Sequence, residues 1–126
     1  MFRCVLHALA AMIIAWPALA DAARPFPAHA LRGTLVVLQP PEIALNDKAA
    51  RLSPGSRIRG ENNMLVLSGA LVGQKLVVHY TLESHGLVHD VWILTPDELA
   101  RRPWPATVEE AQRWSFDPGT QVWTPR

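Results

Sequence analysis

Cysteine is almost missing from this chain: among 126 residues there is one, Cys4. No disulfide can form within the chain, and no Cys-x-x-Cys pair exists for redox work or zinc. Net charge of one sign is missing too. Twelve Lys and Arg stand against 11 Asp and Glu, a formal charge of +1, which excludes a strong long-range pull on nucleic acid or anionic membranes. No apolar run after residue 20 approaches the ~20 residues of a membrane-spanning helix. The catalytic signatures G-x-S-x-G and H-E-x-x-H are absent, and Ser53, Ser56 and Ser68 have no histidine and carboxylate assignable by spacing. No enzymatic role and no cofactor are expected.

What is present begins with an address. Arg3 supplies a positive start, Val5 to Trp16 is apolar apart from His7, and Ala18-Leu19-Ala20 offers the small-x-small pattern of a signal-peptidase site. Residues 1–20 therefore read as a signal peptide, with the mature chain starting at Asp21 in the periplasm or outside the cell. Removing Arg3 brings the formal charge to zero. Removing Cys4 leaves a thiol-free chain of about 106 residues, enough for one domain with a modest core.

Residues 21–30 are rich in Ala and Pro and read as an extended lead-in. Leu31–Leu38 is a strand ended by Pro40-Pro41. Asn46-Asp47 tolerate the left-handed turn of a tight hairpin, which pairs Leu45 with Lys48 and Glu42 with Arg51. Pro54-Gly55 signals a type II turn before the strand Arg57-Ile58-Arg59, and Met64–Leu67 reads as a further short strand. Lys75–Ser84 and Leu87–Thr95 alternate with period two around His85-Gly86, which places Leu76, Val78, Tyr80 and Leu82 on the core face. These elements predict a mainly β fold over 31–95, a small antiparallel five- or six-stranded barrel.

After Thr95 the pattern becomes helical. Thr95-Pro96-Asp97-Glu98 is a capping box with proline at the first helical position, and Pro103 is expected to end that helix after about two turns. Thr107-Val108-Glu109-Glu110 opens a second short helix running into Trp114. Helices this brief must dock on the barrel. A turn at Asp117-Pro118-Gly119-Thr120 is expected to set Trp114 opposite Trp123. Residues 96–126 thus form two short C-terminal helices and a Trp-bearing tail.

Three sets of residues are candidates for function. His79, Glu83 and His89 could ligate a transition metal, since imidazole and carboxylate donors suit such ions. Register decides: a loop of two or four residues sets His79 opposite Trp92 and disperses the set, whereas a three-residue loop sets Glu83 opposite His89 and gathers all three. Arg57 and Arg59 share one side of a strand and could meet an anionic partner, although no aromatic residue lies in their segment. Trp104, Trp114 and Trp123 are large rings in a Pro-interrupted tail, able to cement a core or anchor a partner.

Three stretches, Leu52–Arg59, Leu71–Thr81 and Val91–Thr95, resemble uncharacterised small exported proteins of proteobacteria. The pattern Leu71-x-Gly73-Gln74-x-x-x-Val78-x-Tyr80 also resembles the late strands of small oligonucleotide-binding-like or SH3-like barrels. The resemblance spans Leu31–Glu98 and implies a fold, not a site. The expected role is a non-enzymatic binding or interaction module of the bacterial envelope, its partner another exported protein, with no nucleic acid and no stable membrane insertion after cleavage. The alternative is a periplasmic metal binder using His79, Glu83 and His89. Intact-mass analysis of exported material should show a product beginning at Asp21; a product that keeps Cys4 would contradict the processing site.

Overall fold

A computed structural model describes residues 24–126; the expected signal peptide, its cleavage site and Cys4 lie outside the described residues. Five strands pair into a closed ring: β1 (Leu31–Gln39), β2 (Glu42–Leu45), β3 (Lys48–Arg59), β4 (Lys75–Leu82) and β5 (Val88–Ile93), in the order β1-β2-β3-β5-β4 with β4 returning to β1. The expected mainly β barrel is present, with one difference. The pairing of β3 with β5 is parallel, and the other four pairings are antiparallel. An odd ring cannot alternate direction all the way round, so at least one neighbouring pair must run the same way.

The first hairpin forms as its residues dictate. Asn46 and Asp47 take φ of 53° and 64°, Leu45 pairs with Lys48, and Glu42 meets Arg51 at 3.4 Å across the exposed face. Two other local expectations fail. Pro54-Gly55 makes no type II turn, because Gly55 does not adopt the positive φ that turn requires. Instead β3 runs through, and its register with β5 jumps from Leu52↔Val88 to Arg57↔Asp90. Ser53–Ser56 bulge from the ladder, where a proline without an N–H is tolerated. Met64–Leu67 forms no strand; a single bridge joins Leu65 to Arg59, and a 3-10 turn follows at Ser68–Leu71.

Inward positions fill the barrel. Leu31, Leu35, Val37, Ile43, Leu52, Ile58, Val78, Tyr80, Val88 and Val91 form one buried cluster, with Tyr80 directly opposite Val91 as the alternation requires. Gly33 faces inward on β1, where a Cβ would come within 3.0 Å of the Tyr80 ring and of the Asn46 amide oxygen. The glycine makes room for the phenol.

A second buried cluster lies outside the barrel. Outward positions align across four strands as Arg32, His79, Trp92 and Arg59, each paired with the next. Such a row ordinarily meets water. Here Phe26 and Trp104 cover it, joined by Ala30, Leu94 and Trp123. From Arg24 onward the lead-in is therefore part of the core: it forms no strand there, but Phe26 is 3% exposed and Ala30 fully buried. Gln121 clips it to the tail, accepting from the Phe26 N–H at 2.9 Å and donating to the Phe26 carbonyl at 3.4 Å.

The capping box at Thr95 and Glu98 forms, but α1 (Pro96–Leu99) is one turn long rather than two. Arg32 donates to the carbonyls of Glu98 and Leu99, ending the helix with side-chain partners. The second helix, α2 (Val108–Arg113), starts with Thr107 accepting from the Glu110 N–H. The tail hairpin, β6 (Ser115–Asp117) and β7 (Val122–Thr124), pairs Phe116 with Trp123. Trp114 is left as the cap of α2, so the expected Trp114–Trp123 pair does not form; Phe116, two residues on, takes its place opposite Trp123. Phe26→Ala should cost about 3 kcal/mol in chemical denaturation. A loss below roughly 0.5 kcal/mol, the size of a surface change, would show that the lead-in is not part of the core.

Candidate anion-binding cleft

The parallel pairing of β3 with β5 sets Arg57 beside Asp90 and Arg59 beside Trp92. Ile58 and Val91 between them face the barrel interior, so these four side chains face outward. Arg59 lies 3.5 Å from Asp90, and its guanidinium carbon is 5.8 Å from the centre of the Trp92 ring. The aromatic partner that the Arg57–Arg59 segment lacks in sequence is thus supplied by the neighbouring strand. Only the parallel register, which was not legible beforehand, brings it there.

The lead-in forms the opposite wall. Between Pro25, Pro27 and His29 on one side and Arg57, His89 and Trp92 on the other lies an open cleft of about 650 Å³, with Arg24, Arg59, Asn63 and Asp90 also on its surface. Arg24 is already engaged. It holds Glu98 through two nitrogens and donates to the carbonyls of Gly60 and Ile93, each at 2.8 Å. Burial alone would raise the Glu98 pKa, but the Arg24 hydrogen bonds and charge and the Thr95 N–H outweigh it, so the carboxyl is held below its ordinary range. Arg57 differs. It is exposed, and among the described residues it has no ion-pair partner.

His89 reaches the cleft from the β5 bulge. Its Nδ1 is hydrogen bonded to Ser53 Oγ at 2.9 Å. Ser53 is 6% exposed, and its hydroxyl holds the orientation of the imidazole.

The structure does not bring His79, Glu83 and His89 together. The hairpin tip does take a three-residue loop, with the Glu83 N–H bonded to the Leu87 carbonyl. A bulge then opposes Thr81 with His89 and Asp90, and restores His79 opposite Trp92. Glu83 turns back to the loop, accepting from the N–H groups of Leu87 and His85 and from the His85 ring, which hold its pKa down. Among the described residues no group of three His, Cys, Asp or Glu side chains could hold a metal ion. Nor do the tryptophans form a presented groove. Trp104 and Trp123 are buried, 6.0 Å apart by ring centres, and Trp114 is half-buried at the edge of the same cluster.

His79 is fully enclosed. It stacks on Trp104 at 4.1 Å, meets Phe26 edge-on at 4.4 Å, and accepts from Arg32 Nε at 3.1 Å through Nε2. A guanidinium only donates, so Nε2 carries no proton and the neutral ring is protonated at Nδ1, which has no partner among the described residues. Burial, then the cations Arg32, Arg24 and Arg101, lower its pKa to about 2. Comparison with family models, curated proteins and solved structures finds no match to this chain, so the account of this face rests on its geometry.

Because the folded imidazole resists protonation, the unfolded chain takes up the proton first as pH falls below 6.5. Stability should therefore drop by about 2 kcal/mol between pH 6.5 and 5, above the range where the carboxylates contribute. Denaturation midpoints should follow that slope in the native protein, and His79→Gln should flatten it. An unchanged slope in the variant would contradict the assignment.

Proposed function

We propose that this protein is an exported, non-enzymatic binding module of the bacterial envelope, and that the cleft between the lead-in and the β3–β5 pair takes an anionic group on its ligand or partner. The observation that carries this reading is Arg57, an exposed guanidinium without an ion-pair partner among the described residues, on the same surface as Arg59, His89, Asn63 and Trp92. An Arg fork suits a carboxylate or phosphate bidentately. Among the described residues the cleft is lined by one carboxylate, Asp90, and Arg59 takes it up. Of the residues expected to meet a partner, Arg57 and Arg59 line this cleft, and Trp104, Trp114 and Trp123 do not.

Tripolyphosphate and a short oligoglutamate peptide are the probes, followed by calorimetry and by tryptophan fluorescence, to which Trp92 on the cleft contributes. Arg57→Glu should weaken binding at least tenfold while leaving stability within about 0.5 kcal/mol, because Arg57 has no internal partner to lose. Absence of heat with both probes, or equal affinity in the variant, would overturn the proposal.

A further inference from the structure

The outer edge of β3 changes partner along its length. Its pairing with β2 ends at Glu42↔Arg51, and the later half is covered by the loop that follows it. The Gly60 N–H donates to the Met64 carbonyl at 2.9 Å, the Val66 N–H to the Ile58 carbonyl at 2.8 Å, and Leu65 stands opposite Arg59. Period two then sorts the loop. Val66 packs on the barrel core, whereas Leu65 and Leu67 face outward, 69% and 83% exposed, and Met64 at the turn is 67% exposed. Opposed residues share a face, so Leu65 lies beside Arg59.

Two outward cations and two outward leucines thus lie on neighbouring segments, with an exposed methionine at the tip. Large apolar side chains grouped at the surface mark a contact. The acids nearby are Asp90, paired with Arg59, and Glu61 at the turn; neither forms an ion pair with Arg57. A surface of this kind needs an occupant with phosphate and hydrocarbon in adjacent layers. The face of an anionic phospholipid bilayer has that construction: guanidinium groups meet headgroup phosphates while leucine and methionine side chains reach the acyl boundary.

We infer that Met64, Leu65 and Leu67, with Arg57 and Arg59, form a peripheral docking face for an anionic phospholipid bilayer. The inference rests on the anionic reading of the adjoining cleft and names its ligand as a lipid headgroup. It requires no spanning segment, and among the described residues no helix is long and apolar enough to cross a membrane.

The test is co-sedimentation of the protein, isolated after export, with phosphatidylcholine vesicles that contain or lack phosphatidylglycerol at about one lipid in three. Binding is expected only with phosphatidylglycerol, and it should weaken as salt rises. The triple variant Met64→Ser, Leu65→Ser, Leu67→Ser alters exposed side chains only. It should lower the bound fraction at least fivefold yet bind tripolyphosphate as the native protein does, whereas Arg57→Glu should lose both. Tripolyphosphate binding without vesicle binding would overturn the docking face and leave the cleft reading standing. Vesicle binding undiminished in the triple variant would overturn it as well. So would a concentration-dependent dimer, seen by light scattering and lost in the triple variant, in place of vesicle binding; the face would then belong to a second copy of the chain.

Discussion

The outer surface of the β1–β4–β5 sheet is dry at His79, and most of what lies outside the barrel exists to keep it so. A barrel strand has one face for the interior and one for solvent. Here the solvent face carries a neutral imidazole under the Phe26 and Trp104 rings, with Arg32 as its donor. Burying that group requires cover from both ends of the described chain. The lead-in brings Phe26, and the segment after α1 brings Trp104, whose indole N–H bonds the Ala30 carbonyl at 3.0 Å. Arg24 and Glu98 tie the two together with a pair of side chains only 11% and 5% exposed. A buried pair of this kind is weak evidence for net stability, but removing one partner strands the other charge. Its evident effect is positional.

Position is what the cleft depends on. The wall of Pro25, Pro27 and His29 stands where it does because Arg24 and Phe26 on either side of Pro25 are anchored, one to Glu98 and the other to Gln121 and the aromatic cluster. The facing wall follows from the odd ring. The parallel β3–β5 contact is the one same-direction pairing that ring requires, and it lines up Arg57, Asp90, Arg59 and Trp92 on one surface. An antiparallel neighbour would have set other residues beside the arginines. Fold closure and the chemistry of the cleft are therefore one feature seen at two scales.

Local chemistry was the legible part of the sequence. The Asn46-Asp47 hairpin, the Thr95 capping box and the inward placement of Tyr80 each follow from residues within a few positions of one another, and each is present. What was not legible depends on a residue count or a partner far away. Pro54-Gly55 looks like a turn until the sheet absorbs it as a bulge; the β4–β5 register turns on one extra residue opposite Thr81. His79 has the spacing of a polar outward residue, and nothing near it in sequence announces Phe26 or Trp104. The four aromatic residues after position 100 all belong to the cluster that covers it. The cleft was half legible, in Arg57 and Arg59, because their aromatic neighbour and their proline wall come from other elements.

The claim on which this account turns is that His79 is a neutral, enclosed ring, and nitrogen-15 NMR of the imidazoles reads it directly. The account predicts a proton on Nδ1, an unprotonated Nε2 shifted by the Arg32 hydrogen bond, and a ring that stays neutral down to about pH 4. A His79 signal that exchanges between tautomers, or that titrates in the ordinary imidazole range, would contradict it, and with it the aromatic cover that places the lead-in against the cleft.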